Sequence, residues 1–159
     1  MNVNTYVRPT MEYAIQAWSP WLQKDTQLLD RIYHRVTKMV DGLQHTPYSE
    51  RLKSLNMFDS GHRRLRGDLI LMFKIMNTSH HPLRLLFTLA RTLITRSHTL
   101  SVVIPHSRLN CRRYFFTVRV CFTWNSLPDH VVNADNINSF KNLLDRYFSS
   151  HTVTEPLSQ

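Results

Sequence analysis

Apolar residues recur at helical spacing along most of this chain, and that periodicity constrains its fold more than any other feature. The clearest stretch lies toward the carboxy terminus, where Ile137, Phe140, Leu143, Leu144, Tyr147 and Phe148 follow the i, i+3, i+7 rhythm of a buried stripe, with Asp135 or Asn136 placed to cap the first turn. A second stripe, Leu28, Leu29, Ile32, Val36, Met39 and Val40, predicts a helix capped by Asp25 or Thr26 and stopped by Gly42. Arg31, His34, Arg35 and Lys38 fall on its opposite face. A third long helix, begun at Asp59 or Ser60, carries Leu65, Leu69, Met72, Phe73 and Met76 and ends in the polar loop 77–82.

Shorter helices are expected around Met11, Ile15 and Trp18, ended by Ser19-Pro20, and from Pro47 to Leu55 with Ser49 as cap. Phe115, Val118 and Phe122 predict a helix over 112–127 that Pro128 terminates. Between them, Leu100 to Ile104 is rich in β-branched residues and reads as a short strand. The expected fold class is mainly α, a small multi-helix assembly with a short β element around 98–105.

Charge points to the partner. The formal net charge is +9, yet Leu69 to Pro128 holds no Asp or Glu while Lys74, Arg84, Arg91, Arg96, Arg108, Arg112, Arg113 and Arg119 add eight positive charges. Clustered Lys and Arg gain free energy by displacing counterions condensed on phosphates, so a polyanion is the natural partner, though composition alone does not say which. The candidate phosphate-contacting residues are Arg31, Arg35 and Lys38 on the basic helix, Arg63 and Arg66 on the next long one, and Arg96, Arg108, Arg112, Arg113 and Arg119 in the acid-free stretch.

Other chemistries find little support. Only Cys111 and Cys121 are present, matching neither a disulfide framework nor a zinc site, which fits a reducing intracellular compartment, nuclear or cytoplasmic, without secretion. His80 and His81 are adjacent rather than spaced for one helix face, so no metal is expected. Cys111 near His106 lacks an orienting acid, no cofactor motif is present, and no apolar run is long enough to span a bilayer. Tyr114, Phe115, Phe116 and Trp124, with Trp18 and Trp21, are assigned to core packing rather than base stacking. Arg66-Gly67-Asp68 sits within a helical pattern, which argues against an adhesion loop.

Several short strings carry a family likeness. They are Arg8-Pro9 with Glu12-Tyr13-Ala14 and Trp18-Ser19-Pro20, Arg35-Val36-Thr37-Lys38-Met39, Tyr48-Ser49-Glu50-Arg51-Leu52, and Arg63 through Leu69. They continue with Thr95 through Leu100, Tyr114-Phe115-Phe116 with Arg119-Val120, Trp124 through Pro128, and Ser139 through Asp145. In this order they span roughly nine-tenths of the chain and resemble the region that follows the polymerase in LINE-type, jockey-like non-LTR retrotransposon reverse transcriptases.

The chain is expected to divide into a helical region over 1–77 that the resemblance makes thumb-like, a basic connector with the short strand over 78–110, a carboxy-terminal helical pair over 111–148 and a disordered tail over 149–159. It implies a region that grips RNA or an RNA/DNA duplex for a palm and fingers module lying upstream. The family's Tyr-Ala-Asp-Asp box has no counterpart, and no two acidic residues are adjacent anywhere. Nucleotide transfer needs carboxylates that hold two metal ions, so the chain is not expected to be an enzyme. The alternative is a protein-interaction or decayed remnant without activity, whose signature would be an exposed apolar patch.

Overall fold

The computed structural model describes residues 9–90 and 98–150, which are mainly helical and contain no sheet. After a helical turn at residues 9–12 come α1 (Ile15–Trp18), α2 (Gln23–Lys38), α3 (Tyr48–Ser54) and α4 (Ser60–Asn77), then a 3-10 turn at Pro82–Leu86. The chain continues with α5 (Asn110–Arg113), α6 (Phe116–Ser126), α7 (Asp129–Val132) and α8 (Ile137–Ser150). Two compact units result, one through Arg64 and one from Leu65 onward. That division falls inside α4, whereas the sequence reading drew its first boundary at 77, where α4 ends. The tail expected beyond 148 begins as the last turn of α8, and its remainder lies outside the described residues.

The second unit has the larger core. Leu69, Met72 and Ile75 of α4 are fully buried with Val120, Cys121 and Trp124 of α6, Val131 and Val132 of α7, and Phe140 and Leu144 of α8. Phe73 stacks on Phe140 with ring centroids 4.3 Å apart. The final helix starts as its sequence requires, since Asn136 Oδ1 accepts from the backbone N–H groups of Asn138 and Ser139. Asp59 does the same for α4 by accepting from His62 N–H at 3.0 Å.

The helix expected over 112–127 is instead two helices. Phe115 between them is extended, with φ −67° and ψ 147°, and is 44% exposed rather than packed in the core. Arg119 donates Nη1–H to the Tyr114 carbonyl at 3.0 Å, which satisfies the end of α5 and lets α6 begin in a new direction. The buried face of α6 therefore centres on Phe116, Val120 and Trp124, and Phe122 turns outward.

The strand expected over 100–104 shrinks to a single antiparallel bridge between Leu89 and Val102. Asn125 explains why it goes no further. Its Oδ1 accepts from Val102 N–H at 2.9 Å and its Nδ2 donates to Val102 C=O at 2.8 Å, so a side chain occupies the edge where another strand would pair. His98 Nε2 bonds to Trp124 C=O at 2.8 Å, and Trp124 Nε1–H donates to Leu100 C=O at 2.9 Å. Four neighbouring hydrogen bonds thus fasten residues 98–102 to α6.

Cys121 lies in this core, where burial raises its thiol to about 11 from an ordinary 9.0, and its Sγ–H donates to Thr117 C=O. Because the folded value is the higher one, this contribution to stability is complete below about pH 9 and is lost as pH rises toward 11. Cys111 is exposed. Alkylation of the native chain followed by peptide mass mapping is expected to label Cys111 and to reach Cys121 only after denaturant is added.

Candidate nucleic-acid interface

The first unit carries the basic helix. Its α2 starts at Gln23 behind Leu22, without a side-chain cap from Asp25 or Thr26; the Thr26 hydroxyl bonds back to Leu22 C=O instead. The buried side of α2 centres on Tyr33 and Thr37, one turn apart, rather than on the predicted apolar stripe. Thr37 is accommodated because its hydroxyl donates to Tyr33 C=O at 2.9 Å, and Tyr33 because the Arg63 guanidinium lies 4.4 Å from its ring centroid. With the helix turned this way, Leu29, Val36 and Val40 are half-buried, while Leu28, Ile32 and Met39 are exposed beside Arg31 and Arg35. Trp18 and Trp21, assigned to the core from sequence, are also more than two-fifths exposed.

Lys38 ends α2, and the chain reverses through Gly42, whose φ of +80° is one that side chains with a Cβ rarely adopt. It re-enters helix at Tyr48 behind Pro47, so Ser49 is inside the first turn and not the cap. Asn56 closes α3 in the left-handed region at φ +49°. Its N–H bonds to Lys53 C=O and the next, of Met57, reaches back to Leu52 C=O, a pattern that ties Met57 onto Leu52 in the small core of this unit.

These turns enclose an open cleft of about 800 Å³ lined by His34, Arg35, Lys38, Gln44, His45, Thr46, Pro47, Tyr48 and Arg51, with no acidic residue among them. The His34 and Tyr48 rings stack at 3.6 Å, 17° from parallel. Burial, acting before any nearby charge, raises the Tyr48 phenol above its ordinary pKa of 10.0. Arg51 lies 5.6 Å from the Tyr48 ring centroid and is only 3% exposed.

The residues singled out from sequence fare differently. Arg31, Arg35 and Lys38 are exposed along one side of α2, and Arg108, Arg112 and Arg113 are exposed in and just before α5, with Arg112 5.8 Å from the Phe115 ring. Arg63, Arg66 and Arg119 are held by carboxylates. Arg63 Nε is 2.9 Å from Glu12 Oε1, Arg66 forms a two-pronged pair with Asp145 at 2.6 and 2.9 Å, and Arg119 forms another with Asp68 at 2.7 and 3.0 Å. The carboxylate hydrogen bond raises the Arg66 pKa further, so its charge is permanent and already matched. These three arginines build the fold. Arg96 lies outside the described residues.

The Arg66-Gly67-Asp68 string is helical, as its surroundings predict, with both charged members engaged in separate ion pairs. Arg51 and His45 are site residues that the sequence reading missed. Arg51 adjoins Leu52 on a short helix, and nothing in the spacing distinguishes it from a solvated arginine. Among the described residues no group of three His, Cys, Asp or Glu could hold a metal ion, and no helix is long and apolar enough to cross a membrane. No protein-family model, curated protein or solved structure matches the chain.

Proposed function

We propose that this chain is a nucleic-acid-binding region that acts on RNA or an RNA/DNA duplex inside the cell, nuclear or cytoplasmic, without chemistry of its own. In this reading it is the thumb and post-thumb part of a LINE-type reverse transcriptase and serves a palm and fingers module. The observation that carries the binding is the basic side of α2, which no described carboxylate pairs. Arg31, Arg35 and Lys38 stay exposed on one face and lead into an acid-free cleft, while Arg63, Arg66 and Arg119 are paired off. A helix face of this kind tracks a phosphate backbone without reading bases. Arg108, Arg112 and Arg113 offer a second exposed basic segment.

Filter binding of single-stranded RNA and of an RNA/DNA duplex tests this. With several phosphate contacts, affinity is expected to fall more than about tenfold between roughly 50 and 200 mM salt. Affinity that stays flat over that range would rule the reading out.

One observation favours the second reading, a protein-docking or remnant segment without nucleic-acid affinity. Leu28 and Ile32 on α2, with Met39 just past its end, form an exposed apolar strip, as a helix face shaped to pack on another protein would. Light scattering separates the two, since docking through this strip predicts self-association or capture of a palm module that RNA does not compete away.

A further inference from the structure

We propose that the cleft beside Arg51 receives one phosphate group of a nucleic-acid strand, with Arg51 as its buried anchor and Arg35 and Lys38 at its rim. This rests on the nucleic-acid reading above and assigns that reading a specific receptor. Arg51 is 3% exposed, and its Nε and Nη1 are buried with no hydrogen-bond partner among the described residues. Buried donors in folded proteins are nearly always satisfied, and a buried guanidinium charge is costly unless an anion faces it. Elsewhere the same fold meets this requirement with two-pronged pairs, giving Asp145 to Arg66 and Asp68 to Arg119. No described carboxylate is given to Arg51.

The cleft supplies the space. Its volume of about 800 Å³ is far more than one ion needs and suits a phosphate still attached to a nucleotide. Three cations line it, Arg35, Lys38 and Arg51, with His34 and His45 beside them and no acid. That concentration of charge matches a phosphate chain better than a lone peptide carboxylate, and a planar guanidinium fork binds two phosphate oxygens at once. One face of the Tyr48 ring is already covered by His34 at 3.6 Å and Arg51 lies 5.6 Å from the ring centroid, so recognition there falls to the backbone rather than to base stacking.

The test compares thermal unfolding of the full chain in chloride, acetate and inorganic phosphate at matched ionic strength. A parallel arm measures fluorescence anisotropy with oligonucleotides carrying a 5′-phosphate or a 5′-hydroxyl. Phosphate is expected to raise the melting temperature above the other two salts, and Arg35→Gln with Lys38→Gln, both at exposed positions, to abolish that increment while leaving the helical circular dichroism intact. Arg51→Lys keeps the charge and loses the fork, and is expected to weaken oligonucleotide binding about tenfold. A preference for the 5′-phosphate assigns the group to a strand end, and equal binding assigns it to an internal phosphodiester; both uphold the receptor.

Equal stabilisation by acetate and phosphate would overturn it in favour of a carboxylate-bearing partner. So would a phosphate increment that survives the double substitution. Salt-sensitive oligonucleotide binding that all three substitutions leave unchanged would overturn the cleft alone. Phosphate-specific stabilisation without any oligonucleotide binding would overturn the nucleic-acid reading and, with it, the strand as the source.

Discussion

Replacing Asp68 with alanine is expected to destabilise the second unit by about 3–5 kcal/mol, the usual consequence of stripping one partner from a buried ion pair. Asp68 has a side chain only 4% exposed and grips the Arg119 guanidinium with both oxygens. Without it, Arg119 is left charged at 15% exposure in a region with no other acid from Leu69 to Pro128. Arg119 also satisfies the Tyr114 carbonyl, so the junction between α5 and α6 should loosen along with the pair. Urea unfolding followed by circular dichroism measures the loss, and Asp68→Leu combined with Arg119→Met should recover most of it because neither charge then remains. The corresponding loss at Asp145 should be smaller, since that carboxylate is a third exposed and Arg66 is 22% exposed.

Trp124→Ala is expected to cost a further class of stability, about 3–5 kcal/mol, through the cavity it leaves in a dense core. The indole is fully buried, packs edge-on to His98 with centroids 5.6 Å apart, and lies 6.3 Å from Phe140. It also supplies the donor to Leu100 C=O, so the alanine variant orphans a carbonyl as well as opening a void. Trp124→Phe separates the two effects: it retains much of the volume, loses the N–H, and should cost about 1–3 kcal/mol. Circular dichroism melts of both variants are the measurement. A loss in the alanine variant no larger than in the phenylalanine variant would show that the indole does not anchor the core.

Periodicity made much of this architecture legible in advance. The final helix, its Asn136 cap and the long α4 with Leu69 and Met72 inward all follow from local spacing and turn chemistry, whereas α2 ends at Lys38, short of the stop expected at Gly42. Tertiary contacts decided the rest. The rotation of α2 depends on Arg63 lying against Tyr33, an interaction across thirty positions that no helical stripe encodes. The break at Phe115 depends on Arg119 reaching back to Tyr114, and the loss of the strand on Asn125 clasping Val102. Each is a polar side chain satisfying backbone or ring at a distance, and hydropathy does not register it.

The charge pattern was legible as an excess but not as a site. Ion pairing with Asp68, one residue outside the acid-free stretch, removes Arg119 from the candidates, and Asp145, some eighty positions from Arg66, removes another. Among the described candidates, those given no carboxylate lie on α2 and around α5. The exposed Leu28, Ile32 and Met39 follow from the rotation of α2 and lie beside the exposed Arg31 and Arg35, so the segment that offers charge to a phosphate backbone also offers an apolar strip to a protein. Both properties suit a module that holds nucleic acid for a neighbouring polymerase, as proposed above.

The most direct test is the salt dependence of RNA affinity in the wild-type chain and in a variant carrying Arg31→Gln, Arg35→Gln and Lys38→Gln, whose side chains are exposed and whose replacement should leave the helices intact. Each lost phosphate contact lowers the slope of log affinity against log salt by about 0.7 on a single strand, so a drop of roughly two is expected together with weaker binding at low salt. An unchanged slope and affinity in the triple variant would place the grip on nucleic acid elsewhere and contradict the assignment to α2.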